Sequence, residues 1–295
     1  MMFRIQLVVL LFMAATAEAQ IQVELSFKRL QYIAYEPILA TVRIANNSGR
    51  DIDLHDDSGQ HWFGFEVNDA EGRVLAPLPT APSDSAAQPS LHVEAGKTVT
   101  RKVNLTSLYP VHDLGAYHVR ANVYFSDLNK FFYSATKVFQ VTDARPIWQK
   151  TVGVPEGMPS AGEVRTYSLL SNRFLDHTSL YVRVENRNNG IVYATYPLGR
   201  IIANIDPQAE IDQANQLHVL HCAAPRNWAY SHVGLNGELL AHSTFLEAKT
   251  RPHLRHTADG SIAVNGGVLD VPSPDSKRNP APNLSDRPAA SPADD

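Results

Sequence analysis

Residues 115–125, GAYHVRANVYF, decide the fold class. Tyr117, Val119, Ala121, Val123 and Phe125 occupy the odd positions, and His118, Arg120 and Asn122 stand between them. Successive strand side chains point to opposite faces, so a period of two marks a strand with one face on a core. The odd set is the core face, and Tyr124 then points out. The pattern repeats outward. Ile38, Ala40, Val42 and Ile44 alternate with Leu39, Thr41 and Arg43, and Asn46-Asn47-Ser48-Gly49 ends that run in a turn. Trp62, Phe63, Phe65 and Val67 follow, then Val93, Val99, Val103 and Leu105. No window keeps a 3.6-residue period over three turns. Short alternating runs with frequent turn signals predict an all-β chain of sandwiches or barrels.

The chain has 295 residues, with 26 basic and 30 acidic side chains, a net charge of −4 and a pI near 6.3. That balance leaves no electrostatic footprint for nucleic acid. Arg4, the apolar stretch Ile5–Met13 and the small-x-small site Ala17-Glu18-Ala19 predict a signal peptide over 1–19, with the mature chain starting at Gln20. No later run reaches the roughly 18 apolar residues a membrane span needs, so none is expected after cleavage. The expected location is periplasmic or secreted. Cys222 is the one cysteine, which excludes a disulfide within the chain and reads as a small buried hydrophobe.

Composition divides the rest. Residues 20–143 form a first β unit. Residues 144–163, with three prolines and three glycines, read as a linker, and 164–270 form a second β unit. Residues 271–295 read as a disordered tail, because six of the 19 prolines fall there with few apolar residues to offset ordering entropy. Ala76–Pro89 reads as a loop within the first unit.

Asp113-Leu114-Gly115-Ala116-Tyr117 resembles the D-x-G-x-Y corner of immunoglobulin-like β-sandwiches, specifically bacterial modules without a disulfide. The resemblance implies that the Tyr117 hydroxyl bonds back to nearby backbone. It implies that Val42 and Val119 replace the family's cysteines and that Trp62 is its buried tryptophan. No catalytic residue comes with it. Beside the corner, Val123-Tyr124-Phe125 and Phe131-Phe132-Tyr133 flank a turn. Phe131 and Phe132 are consecutive and cannot both face inward, so Tyr124, Phe131 and Phe132 form a candidate partner surface. Packing of that edge against the second unit is the competing expectation.

In the second unit Asn189-Gly190, Asn236-Gly237 and Asp259-Gly260 predict tight type I′ hairpins and hence an antiparallel meander. Six of the 12 histidines lie between His218 and His256. Pairing 216–222 with 228–235 sets Cys222 opposite Trp228, Leu220 opposite Tyr230 and His218 opposite His232. Ala241 then stands opposite His232, with His221 and His242 on the other face. Opposed β-carbons are about 4.5–5.5 Å apart, so both imidazoles reach one point. No third ligand is evident and no H-E-x-x-H occurs, so no metal and no cofactor are assigned. One face collects Leu217, Val219, Val233, Leu235, Leu240 and Leu246 as an aliphatic core. The other collects His218, Leu220, Trp228, Tyr230, His232 and Phe245, a candidate ligand-binding face with apolar bodies and polar tips.

The motifs G-x-S-x-G, GxxxxGK[ST] and GxGxxG are absent. Asp51, Asp53, Asp56 and Asp57 lack calcium-loop spacing and read as a solvated loop. The expected function is an exported, non-catalytic binding or scaffold protein whose partner is a protein or carbohydrate outside the cytoplasm. The alternatives are a hydrolase using histidines of the second unit and a structural subunit of a surface assembly.

Overall fold

The computed structural model describes residues 20–57, 59–79 and 89–271. The expected signal peptide, most of the 76–89 loop and the tail beyond Val271 lie outside the described residues. The chain is all-β, with 56% strand and 2% helix. None of its described helices is long and apolar enough to cross a membrane.

The N-terminal half contains β1 (Ile21–Phe27), β2 (Gln31–Ile33), β3 (Leu39–Asn46), β4 (Ile52–Leu54), β5 (Phe63–Asn68), β6 (Leu91–Val93), β7 (Thr98–Asn104), β8 (Gly115–Phe125), β9 (Lys130–Tyr133) and β10 (Lys137–Thr142). One sheet has the order β1-β3-β7, a second β2-β10-β8-β5 with β9 added to β8, and β4 pairs with β6 in a small third. All pairs are antiparallel except β2 with β10. The alternating residues of the two larger sheets meet in one core, where Val42 and Ile44 lie with Val119, Ala121, Val123 and Phe139. Each such buried Val, Ile or Phe side chain contributes about 1.5–3 kcal/mol by leaving water. Trp62 is fully buried, and its ring N–H donates to the Pro89 carbonyl at 3.1 Å. The Tyr117 hydroxyl donates to the Asp113 carbonyl at 3.0 Å, pinning the chain where β8 begins.

The C-terminal half contains β11 (Arg145–Gly153), β12 (Val164–Arg173), β13 (Thr178–Asn186), β14 (Val192–Ile201), β15 (Gln208–Ile211), β16 (Leu217–Ala224), β17 (Asn227–Val233), β18 (Leu239–Leu246), β19 (His253–His256), β20 (Ile262–Asn265) and β21 (Val268–Leu269). The sheet β11-β12-β13-β14 faces the sheet β15-β16-β17-β18-β21, and β19 pairs with β20 alone. Tyr167, Leu169, Val182 and Tyr196 pack with Leu217, Val219, Val233 and Leu235 between the two larger sheets.

Several expectations are corrected. Much of the expected linker at 144–163 is a strand, β11, paired along its length with β12. Pro146 is tolerated because β11 is an edge strand, where a missing N–H breaks no ladder, and the register shifts between Pro146 and Trp148. The Pro/Gly signal belongs instead to the turn after β11, closed by Val154 N–H on the Glu163 carbonyl at 2.8 Å. The three hairpins are not type I′, which needs two positive φ angles. Gly190, Gly237 and Gly260 have φ of 73°, 85° and 79°, while the residue before each does not. Leu240 and Leu246 are exposed rather than core: Leu240 is the residue left unpaired by the bulge at His232/Val233, and Leu246 ends its strand opposite Asn227.

The aromatic edge is also corrected. Tyr124 is buried, because its cross-strand neighbour Phe131 lies over it with ring centroids 4.9 Å apart and its hydroxyl donates to Asn129 Oδ1 at 2.9 Å. Phe132 faces inward and joins the core. Phe131 and Tyr133 remain at the surface, with Arg120 over the Tyr133 ring at 4.4 Å.

The halves join elsewhere, through Ile33, Ala144, Leu170 and Tyr181. Glu36, buried there, pairs with the Arg29 guanidinium and accepts from Ile33 N–H at 3.1 Å. Arg29 also donates to the Tyr181 hydroxyl at 3.0 Å, and Arg183 donates to the Ala34 carbonyl at 2.8 Å.

Candidate functional site

The register of β16 on β17 sets Cys222 opposite Trp228, Leu220 opposite Tyr230 and His218 opposite His232, as the alternation predicts. Ala241 stands opposite His232 and His242 opposite Ser231. Along this outer face the chemistry divides into an apolar end and a polar end.

At the apolar end, Leu220, Cys222 and Trp228 are buried in a small second core with Phe245, Leu254, Val264, Ile202 and Ile205. The β19–β20 hairpin supplies Leu254 and Val264, so the chain itself covers this part of the expected ligand face. The Trp228 ring N–H donates to Glu247 Oε2 at 3.1 Å, and the Arg251 guanidinium lies over the indole at 5.5 Å. Leu220, Trp228 and Phe245 therefore serve packing.

At the polar end, His218, Tyr230 and His232 stay together and gain a residue that the sequence reading missed. Asp212 follows β15, whose Ile211 pairs with Leu217, so Asp212 falls on the same face as His218. Its Oδ1 accepts from the N–H groups of Ala214 and Gln216, both at 2.9 Å, which fixes the carboxylate in the turn. Asn215, with φ of 60°, completes that turn. The signal was present in Asp212-Gln213-Ala214-Asn215-Gln216, an Asp turn immediately before an alternating strand.

His218 is buried between two partners. Its Nε2 lies 3.1 Å from Asp212 Oδ2 and its Nδ1 lies 2.7 Å from the Tyr230 hydroxyl. With Nε2–H donating to the carboxylate, Nδ1 accepts from the phenol. The His232 ring stacks on that of His218, with centroids 4.1 Å apart and planes at 17°, and its Nε2 lies 2.8 Å from Gln216 Oε1. Glu210 stands opposite His218 in register, with its carboxylate 3.4 Å from His256 Nε2.

The environment tunes these groups in different directions. Burial pushes the Asp212 carboxyl up, but hydrogen bonds from the Gln216 N–H, His218 and the Ala214 N–H outweigh it and hold the group below its ordinary range. Burial, then the neighbouring His218 ring, push His232 down, which keeps that imidazole neutral with a free electron pair at neutral pH. Burial and the Asp212 carboxylate push the Tyr230 phenol up. The result is a fixed carboxylate, two imidazoles and a phenol on three adjacent strand ends.

One ligand atom each from Asp212, His218 and His232 lies within 4.8 Å of the others. The sequence reading counted two ligands and no third; Asp212 is the third. The set can accept hydrogen bonds from a polar ligand or donate electron pairs to a cation. No protein-family model matches the chain, and no curated protein matches it.

Proposed function

We propose that the chain is a non-catalytic binding protein that acts outside the cytoplasm, periplasmic or secreted, as two β units joined end to end. Its recognition site is the polar end of the outer sheet face, at Asp212, His218, Tyr230 and His232. One observation carries this reading: polar side chains converge there on a preformed, hydrogen-bonded arrangement, while the neighbouring apolar end of the face is closed by β19–β20. Rigid strands hold such a site ready, so binding costs little reorganisation.

The first unit reads as an immunoglobulin-like support. The three-stranded and five-stranded sheets, the β2 strand parallel to β10, the Tyr117 corner and the buried Trp62 support that assignment. The arginine and glutamate at the junction hold this unit against the second.

A hydrolase is the second reading. The Asp212–His218 pair favours it, being the carboxylate–imidazole half of a general base. Its other ring nitrogen already faces Tyr230, however, a phenol that burial keeps protonated.

Cell fractionation with mass determination of the full chain tests the location, and a chain beginning at Gln20 outside the cytoplasm is expected. Columns of chitin, cellulose and peptidoglycan test carbohydrate binding, and immobilised cell-surface proteins test the protein alternative. Retention lost in His218→Ala supports the reading. Turnover of nitrophenyl ester or amide substrates, lost in the same variant, overturns it in favour of the hydrolase.

A further inference from the structure

We infer that Asp212, His218 and His232 form a binding site for a single divalent transition-metal ion of the zinc type. The inference rests on reading this face as the recognition site, and it names the ligand. Two imidazoles and one carboxylate are a donor set that suits zinc, whereas magnesium and calcium prefer oxygen alone.

The geometry is close to what an ion needs. Asp212 Oδ2 and His218 Nε2 are 3.1 Å apart. Two ligand atoms at zinc bond lengths in a tetrahedral site stand about 3.3 Å apart. The ion can thus replace the shared proton between these groups with almost no displacement of either. The third atom, from His232, is within 4.8 Å of both and needs an approach of at most about 1.5 Å to reach the tetrahedral separation. His232 lies directly across the ladder from His218, and its ring is half-buried rather than enclosed. A fourth position remains for water or an incoming partner.

The surroundings match the outer shell such sites require. His218 binds through Nε2, its proton moves to Nδ1, and Nδ1–H donates to the Tyr230 hydroxyl at the 2.7 Å already present. Asp212 keeps its two backbone N–H bonds on Oδ1 and offers Oδ2 to the ion. Gln216 Oε1 orients the His232 ring. The three ligands sit at the ends of β15, β16 and β17, so the sheet holds them in place before the ion arrives.

The test is calorimetric titration of zinc chloride into the full chain, purified without a histidine tag, with magnesium chloride as the control. One zinc per chain and no magnesium binding are expected. Asp212→Asn and His232→Gln should each weaken zinc by more than about 100-fold, and Tyr230→Phe by about 10–100-fold as an outer-shell group. Zinc should also raise the melting temperature of the wild-type chain and leave that of the Asp212→Asn/His232→Gln double variant unchanged, which controls for folding. No zinc binding, or equal binding by the double variant, overturns the inference. Either failure leaves the recognition reading to its polysaccharide and protein probes; zinc binding by a chain found only in the cytoplasm overturns that reading and leaves the ion site standing.

Discussion

The Tyr230 hydroxyl reaches diagonally along the sheet to His218, two residues from its own cross-strand partner Leu220, and meets Nδ1 at 2.7 Å. Long aromatic side chains span such diagonal positions on one sheet face. This bond closes the chain from Asp212 through His218 and gives the buried imidazole a second partner. Tyr230→Phe leaves that nitrogen without its phenol and should cost about 1–2 kcal/mol in the absence of metal. The check is urea unfolding, where the midpoint falls and the slope is unchanged. An unaltered midpoint would mean that water replaces the phenol fully.

Gly237 packs its turn against β14. Its φ is 85°, and a Cβ there would stand 2.3 Å from the Ala194 Cβ. Gly237→Ala therefore combines a left-handed backbone penalty with overpacking, and should cost about 3 kcal/mol in urea unfolding. A loss below about 1 kcal/mol would show that the turn moves away freely.

Cys222 lies beneath the β19–β20 cover with 2% exposure. Burial, then the Glu247 carboxylate, push its thiol above the ordinary cysteine value, so little of the reactive thiolate exists at neutral pH. Native protein should react with iodoacetamide at least about tenfold more slowly than the urea-unfolded chain. Equal rates would mean that the cover opens readily.

Asp69 contributes to the acid limb of stability. Burial works against its ionised form, but hydrogen bonds from the Arg73 backbone and guanidinium and from Glu71 N–H hold its carboxyl below the ordinary range. A group lowered in the folded state stabilises above its unfolded pKa of about 3.9, and loses that contribution as pH falls through the lower folded value. Asp69→Asn should flatten the dependence of the unfolding midpoint below about pH 4. The same slope in both proteins would contradict this assignment.

Much of the architecture was legible because it rests on a local rule. Counting outward from a two-residue alternation placed His218 opposite His232 and Tyr117 in a core, and neither needed knowledge of distant chain. What escaped depended on distant chain. The burial of Trp228 comes from a hairpin more than twenty residues later, and the burial of Tyr124 from Phe131 across the ladder. β11 was hidden because Pro146 and the prolines after it dominate the composition, although an edge strand accepts proline. Asp212 escaped because β15 is four residues long, too short for its alternation of Gln208 and Glu210 with Ala209 and Ile211 to mark a strand. Its Asp turn was visible, but only the pairing of Ile211 with Leu217 brings it to His218.

The most direct measurement is anomalous diffraction at the zinc absorption edge, from crystals of the full chain grown with one equivalent of zinc. A single peak is predicted within bonding distance of Asp212 Oδ2, His218 Nε2 and a His232 ring nitrogen, with the Tyr230 hydroxyl still on His218 Nδ1. A peak at other residues, or none with the Asp212–His218 hydrogen bond intact, would contradict the account.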